Sequence, residues 1–325
     1  MKQRFKGTMS HDQQGAHGEP VESLLRAAYE HTKNRELHDA GRKLEEALSV
    51  DFDNTEVVTA LKYVNFWKDR DASSREASSG FERGEYLLGQ WRLFNAFVRR
   101  VGEISERFLY AIRQYAFGEA LEEFERSAEE SGGNDPEILL RRGRCYKGTG
   151  EYDKALEVLS KAARARADDP HVLAELADSY ALVNEISKAK AFFREAFFLG
   201  PQKVDIGTLE SEMIGRLITK LRELGYESPA LEEWLPVYGV LYGVFSVKRE
   251  LRSIEYGKLK QSIYALEREY HDKPDPDGIV CAKLLNRYFW LIDHYTNTQE
   301  DQSKIDEVLL KIRSTNEKIY SHYVS

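Results

Sequence analysis

Few residues in this sequence have the type and spacing needed for catalysis or for binding a metal ion. His31 and His38 lie seven residues apart, so a helix would present both imidazoles on one face. The two cysteines, Cys145 and Cys281, lie in separate parts of the chain. The sequence contains no Gly-rich phosphate loop, no HExxH zinc motif and no nucleophile elbow. It therefore predicts no catalytic residue, no metal site, no cofactor and no small-molecule ligand, with packing roles for the histidines and thiols.

The clearest chemical pattern is a row of cations on a predicted helix. Arg141, Arg144 and Lys147 recur every three residues, so they span only ~120° of a helix and share one face. A planar guanidinium can hold a carboxylate with two hydrogen bonds, which suits arginine to binding an acidic group. We therefore predict that this face binds an acidic or carboxylate-bearing segment of another protein.

The composition is typical of a helical protein without affinity for nucleic acid or membranes. Of the 325 residues, 42% are hydrophobic and 31% are charged, and eight prolines leave room for long helices. The formal net charge of −8 disfavours binding to a polyphosphate backbone, so no nucleic-acid partner is predicted. The most apolar run, residues 234–247, is too short to span a bilayer, and the N-terminus lacks the apolar core of a signal peptide. We predict a cytoplasmic protein without membrane insertion, whose residues 1–20 form a flexible tail.

An internal repeat organises the middle of the chain. The stretch PEILLRRGRCYKGTGEYDKALEVLSKAARARADD from Pro136 aligns with PHVLAELADSYALVNEISKAKAFFREAFFLGPQK from Pro170, at an offset of 34 residues. The two stretches match at the pairs Leu139/Leu173, Tyr146/Tyr180, Ala155/Ala189, Leu159/Phe193 and Ala162/Ala196. Such self-similarity predicts tandem supersecondary units.

Each unit carries the local signals of two helices joined by a turn. Asp135 and Asp169 precede prolines, so each aspartate can cap a helix whose first-turn proline has no N–H to lose. Gly150 suits the left-handed residue that ends the first helix. Ala155 and Ala162 lie seven residues apart on the second helix, on a stripe that faces a neighbouring helix.

This pattern resembles the tetratricopeptide repeat (TPR) family, whose consensus places small residues at positions 8, 20 and 27 and tyrosine at position 11. The matching residues are Gly143, Tyr146, Tyr152, Ala155 and Ala162 in one unit, and Ala177, Tyr180, Ala189, Ala196 and Pro201 in the next. The resemblance implies an all-α fold, a right-handed superhelical solenoid of antiparallel helix pairs with a C-terminal helical bundle as its cap. It also implies a non-catalytic protein–protein interaction scaffold or adaptor that binds a partner segment on its concave face.

The repeat register divides the chain into units. We predict a TPR-like array over residues 21–240 and a helical region over residues 241–325 that caps it. The predicted units are 21–54, 55–101 with a polar loop insertion at 69–83, 102–135, 136–169, 170–203 and 204–240. Beyond residue 241 the prediction rests on the helical period alone.

The geometry implied by the resemblance places further side chains beside the basic row. The first helix of each TPR unit lines the concave side of the array, which brings residues of neighbouring units together. The predicted partner-binding residues are Tyr110, Arg113, Arg141, Arg144, Lys147, Glu175 and Asp178. Alternatively, the three cations of the row pair internally with Glu106, Glu175 and Asp178, at little energetic gain.

Two other functions remain open from the sequence. By analogy only, the chain is a structural component of a larger bacterial envelope or motility assembly. Alternatively, an enzyme or regulatory module lies within residues 241–325, where a pocket with strongly perturbed titratable groups would reveal it. A regulatory adaptor that acts on nucleic acid is disfavoured by the acidic net charge.

Overall fold

The chain forms helices throughout the part that the computed structural model describes, residues 12–74, 80–247 and 250–325. Fifteen α-helices and two short 3-10 turns occur in these ranges, and no β-strand is found there. The predicted all-α class is confirmed. Contacts between the helices divide the chain into two compact units, Met1–Glu151 and Tyr152–Ser325.

The first unit contains six helices within the described residues. They are α1 (Asp12–Lys33), α2 (Leu37–Val50), α3 (Thr55–Ser74), α4 (Gly80–Val101), α5 (Glu106–Glu130) and α6 (Pro136–Thr149). Helices that follow one another pack as neighbours, most extensively in the pairs α1–α2, α4–α5 and α5–α6, and α1 also contacts α5. This consecutive packing is that of an all-α, TPR-like array.

Small and aromatic side chains form the core of the first unit. Ala40, Leu44 and Ala47 recur along one face of α2 and are fully buried, as the amphipathic period predicts. Aromatic rings fill the space between α3 and α4, where Tyr63 and Phe94 meet edge to face with centroids 5.2 Å apart. The same cluster of buried side chains reaches α6, so one core supports the whole unit.

The segment predicted as the unit 102–135 differs from the expected helix pair. Helix α5 runs unbroken through 25 residues, where a TPR unit would turn between two shorter helices. It contains no proline, and its one glycine, Gly118, packs against the guanidinium of Arg35 from the α1–α2 turn. Phe117 and Ala120 are buried on either side of this glycine. The helix continues because no residue breaks it and its flanking side chains are already packed.

Helix α1 begins within the predicted flexible tail. Its first residue is Asp12, so the part of the tail from residue 12 to residue 20 is helical. The helix continues through Pro20, which removes one backbone hydrogen bond without ending it. Residues 1–11 lie outside the described part of the chain.

The predicted loop insertion at 69–83 is shorter than expected. Helix α3 continues to Ser74 and α4 begins at Gly80, while residues 75–79 lie outside the described residues. The end of α3 is held by Arg70, whose guanidinium donates a hydrogen bond of 2.9 Å to a carbonyl one turn earlier. The polar composition correctly indicated a connection between two helices, but α3 extends to Ser74, inside the predicted loop.

The second unit contains nine α-helices within the described residues. They are α7 (Tyr152–Ala165), α8 (Pro170–Leu182), α9 (Ile186–Leu199), α10 (Glu212–Glu223), α11 (Ala230–Leu241), α12 (Ser253–Asp272), α13 (Ile279–Asn297), α14 (Gln302–Thr315) and α15 (Glu317–Val324). Consecutive helices again pack together, above all α8–α9, and α13 also contacts α11. Of the C-terminal helices, α13 thus packs directly on α11. No helix in the described ranges is both long and apolar enough to cross a membrane.

The predicted capping residues are confirmed. Asp135 accepts a hydrogen bond of 2.8 Å from the Glu137 N–H at the start of α6. Asp169 accepts one of 3.0 Å from the His171 N–H at the start of α8. Gly150 ends α6 with a φ of 84°, the left-handed conformation that glycine adopts without strain. These local signals fix helix ends that the repeat pattern alone would leave uncertain.

Candidate functional site

In the predicted row of cations on α6, Arg141 makes two ion pairs within the first unit. Arg141 donates through Nε to Glu85 Oε1 at 2.9 Å and through Nη1 to Glu137 Oε2 at 2.8 Å. Its side chain is only 19% exposed. Lys147 is buried and Arg144 is half-buried. The carboxylates that pair with Arg141 therefore differ from the three that the sequence suggested.

On α5, Arg113 contacts the end of α6. Its Nε donates to the Gly148 carbonyl at 2.5 Å, and Gln114 Nε2 donates to the Thr149 carbonyl at 3.0 Å. Carbonyls in the last turn of a helix lack intrahelical donors and carry partial negative charge, so these contacts stabilise α6. Tyr110, also on α5, is 49% exposed and is accessible to a partner.

The two predicted acidic residues lie in the second unit and hold the segment before α10. Asp178 is fully buried and accepts hydrogen bonds of 2.8 Å from the N–H groups of Glu210 and Ser211. Glu175 is 1% exposed and accepts a hydrogen bond of 2.5 Å from the Thr208 hydroxyl. Buried carboxylates that satisfy backbone and side-chain donors in this way contribute to the fold and not to an accessible surface.

Most of the seven predicted residues thus have intramolecular contacts, and their role in partner binding stays a prediction. Helical spacing showed that the cations of α6 share a face. It could not show that Glu85 from α4 reaches that face, or that residues 205–211 fold back onto α8. Both contacts join segments that are distant in sequence, so no local pattern predicts them.

A groove in the second unit offers an accessible apolar surface. It has a volume of about 630 Å³ and lies between the end of α8, the turn into α9, α10 and the residues that follow α11. Two of its lining side chains, Ile186 and Tyr242, are 38% and 41% exposed, so a ligand can reach them. The apolar lining consists of Leu182, Ile186, Met213, Leu217, Tyr242 and Val244. Sequence reasoning missed this site because most of its lining lies outside the two clear repeats.

Two left-handed residues shape the walls of the groove. Asn184 has a φ of 62° and turns the chain from α8 into α9, and Gly243 has a φ of 68° just after α11. The chain then folds back onto α11, because the absence of a side chain at Gly239 leaves room for the Phe245 ring. These turns bring Tyr242 into the wall of the groove.

Charged side chains surround the apolar lining. Arg216 lies 2.5 Å from Glu212 with both side chains 77% exposed, and Lys220 lies 3.1 Å from Glu223. Exposed pairs of this kind contribute about 0.2–1 kcal/mol, so either cation can exchange its partner for a carboxylate of a ligand. Ser211 also lines the groove, and its buried Oγ has no hydrogen-bond partner among the described residues.

Neither cysteine has the environment of a catalytic nucleophile. Cys145 and Cys281 are both buried and form no disulfide. Burial raises the pKa of the Cys145 thiol far above its usual range and raises the pKa of the Cys281 thiol to about 11. Because the thiolate is the reactive form, both groups are poor nucleophiles at neutral pH.

The consecutive helix packing and the paired caps define a helical repeat protein. The sequence model described as tetratricopeptide repeat matches residues 111–178, which comprise most of α5, all of α6 and α7, and most of α8. No curated protein shows a significant sequence match to the chain. Residues 111–178 therefore match the tetratricopeptide repeat, a motif that generally mediates protein–protein interaction and is generally non-catalytic.

Proposed function

We propose that this protein is a non-catalytic scaffold or adaptor that binds a segment of a partner protein in the groove of the second unit. The observation that carries the proposal is the accessible apolar lining of that groove, with Arg216 and Lys220 at its edge. The presence of tetratricopeptide repeats supports protein binding as the general activity. The groove adds a surface whose chemistry suits a peptide segment.

The shape of the groove favours a protein segment over a compact small molecule. A second depression of about 380 Å³ shares residues with the groove and extends along α10 past Gly215 and Thr219. The two depressions share Ser211, Glu212, Arg216 and Lys220, so together they offer a surface along α10 against which an extended or helical segment can bind. Each Leu- or Phe-sized side chain buried against the apolar lining would contribute about 1.5–3 kcal/mol relative to its exposure to water.

The charged side chains around the groove would orient the bound segment. Both signs are present, since Glu212 and Glu223 accompany the two cations. Charges at the edge of an interface chiefly affect the association rate and its salt dependence. We therefore attribute the affinity to the apolar lining and the direction of the bound segment to the charges.

The predicted residues of α5 and α6 form a second surface for the same proposed function. The 49% exposure of Tyr110 favours it, whereas the two ion pairs of Arg141 count against it because binding would have to break them. We further propose a cytoplasmic location, where the two free, buried thiols would stay reduced.

Charge-introducing variants test the proposal. Ile186→Glu places a carboxylate in the apolar lining, and the double variant Arg141→Glu/Arg144→Glu reverses the basic row. Leu310→Glu is the matched control, because Leu310 is a 63% exposed apolar residue on α14 that does not line the groove. Partners that co-purify from native lysate are quantified by mass spectrometry for each variant and for the wild type.

We expect one set of partners to be lost with Ile186→Glu and retained with Leu310→Glu. Loss with the double arginine variant alone would place the binding surface on α6. Retention of every partner by Ile186→Glu would contradict binding in the groove. Circular dichroism of each variant controls for unfolding.

A further inference from the structure

Three side chains that are suited to bind a metal ion converge at the turn between α1 and α2. One imidazole nitrogen of His31 and one carboxylate oxygen each from Glu36 and Asp39 all lie within 4.8 Å of one another. The group lies in the first unit and shares no residue with the basic row or the groove. The sequence drew attention to His31 and His38 as a pair. In the structure, carboxylates from the turn accompany His31 instead, and His38 is exposed outside the group.

The backbone of the turn fixes the relative positions of the three residues. The Glu36 N–H donates to the His31 carbonyl at 2.8 Å, and the Ala40 N–H donates to the Glu36 carbonyl at 2.9 Å. Arg35 adopts the left-handed conformation, with a φ of 70°, and so reverses the chain between the two helices. Glu36 and Asp39 are therefore presented on the first turn of α2, facing the last turn of α1.

The carboxylate of Glu36, the residue that precedes α2, turns toward His31 and does not cap the helix. A side chain at this position commonly accepts a hydrogen bond from a backbone N–H of the first turn. Glu36 makes no such hydrogen bond, and its carboxylate lies 2.6 Å from His31 Nδ1. The carboxylate is directed into the group of three.

We propose that His31, Glu36 and Asp39 bind a divalent transition-metal ion of the Zn²⁺ class. One imidazole nitrogen and two carboxylate oxygens are suitable Zn²⁺ ligands, and water completes the tetrahedron in three-ligand sites. Mg²⁺ and Ca²⁺ require oxygen ligands, so the imidazole selects against them. A metal ion on Nδ1 places the ring proton on Nε2, so the imidazole binds in its neutral form.

Small side-chain movements are enough to form the site. Metal–ligand bonds of about 2.0–2.2 Å in a tetrahedron separate the ligand atoms by about 3.3 Å. The present separations run from 2.6 Å for the His31–Glu36 pair up to the 4.8 Å limit of the group. The side chains of His31, Glu36 and Asp39 are 33%, 50% and 40% exposed, so they can rotate without disturbing the core.

Arg42 forms an ion pair with Asp39 and would compete with a metal ion for the carboxylate. The Arg42 guanidinium donates a hydrogen bond to the Asp39 carboxylate. Metal binding displaces this guanidinium. The Arg42 side chain is 73% exposed, so water replaces its lost contact at little cost.

Zn²⁺ titration of the full chain tests the proposal. Affinity is measured by competition with a chromophoric chelator for the wild type, His31→Ala and Glu36→Gln. His271→Ala is the matched control, since it removes an exposed imidazole from α12, outside the group. Co²⁺ serves as a spectroscopic probe, because its visible absorption bands report on the ligand set independently of affinity.

We expect the wild type and His271→Ala to bind Zn²⁺ equally, and His31→Ala to bind at least about tenfold more weakly. Glu36→Gln should also weaken binding, and the Co²⁺ bands should change in both ligand variants. Excess Mg²⁺ should not displace Zn²⁺. Equal Zn²⁺ affinity in the wild type, His31→Ala and Glu36→Gln would overturn the proposal. Glu36→Gln preserves the shape of the turn. Its Zn²⁺ affinity therefore tests the proposal even if His31→Ala does not fold.

Discussion

Replacing Gly148 with alanine should destabilise the first unit, although alanine is the better helix former. A Cβ at this position would lie 2.3 Å from Phe117 Cγ and 2.4 Å from Cδ1. Either α6 or the phenylalanine ring must therefore move. The ring has little room, because Phe117 is 6% exposed and lies 5.1 Å, centroid to centroid, from Trp91.

The expected magnitude follows from two opposing effects. Alanine gains about 0.5–1 kcal/mol over glycine within a helix. Overpacking a filled core costs about 1–3 kcal/mol. The net loss for Gly148→Ala should therefore lie between about 0 and 2.5 kcal/mol, with a mid-range value of about 1 kcal/mol. Gly89 on α4 provides the matched control, because a Cβ there meets nothing within 4 Å, and Gly89→Ala should stabilise by about 0.5–1 kcal/mol.

Urea unfolding followed by circular dichroism measures both changes as shifts of the transition midpoint. Gly148→Ala should lower the midpoint and Gly89→Ala should raise it, with the dependence on urea concentration unchanged. Adding Phe117→Leu to Gly148→Ala should recover part of the loss, because the smaller side chain vacates the space that the new methyl group needs. Equal stabilisation by the two alanine substitutions would refute the close contact between Gly148 and Phe117.

Two substitutions and one labelling experiment test further contacts. Arg113→Met keeps an apolar stem but removes the donor to the Gly148 carbonyl, so the free energy of unfolding should fall by about 1–2 kcal/mol in the same urea assay. An unchanged midpoint would show that the arginine is free for another role. Asp178→Ala leaves the N–H groups of Glu210 and Ser211 without their acceptor and should cost about 2–4 kcal/mol, whereas a surface carboxylate would cost almost nothing. Because the pKa of Cys281 is raised to about 11, its alkylation at pH 8, followed by mass spectrometry, should be slow until urea unfolds the chain, and rapid native labelling would contradict its burial.

Local signals in the sequence predicted the helix ends but not every helix. Asp135, Asp169 and Gly150 act where the pattern placed them, because a cap depends only on residues within one turn. Helix α5 was expected to be two helices, because the repeat register placed a helix pair over residues 102–135. In the structure Gly118 lies inside the continuous helix and packs against Arg35, 83 residues earlier in the chain, a contact that no local pattern predicts.

The candidate site depended even more on contacts between segments that are distant in sequence. The spacing of Arg141 and Lys147 indicated a shared helix face, but exposure depends on neighbours that the spacing does not contain. Glu85 engages Arg141, and Lys147 is buried. The groove was not predicted because its wall at Tyr242 comes from a turn after α11, where no repeat pattern continues. Periodicity predicts which residues pack within a helix pair, and it does not predict which surface stays accessible.

Site-specific photo-crosslinking tests the proposed binding in the groove most directly. A benzophenone amino acid is introduced in place of one exposed tyrosine at a time. The three positions are Tyr242 in the groove, Tyr110 on α5, and Tyr264 on α12, which does not line the groove. After irradiation in native lysate, the proposal predicts a defined partner adduct from position 242 that Ile186→Glu abolishes, and no such adduct from position 264. The same adduct from position 264, or an adduct from position 110 alone, would contradict binding in the groove.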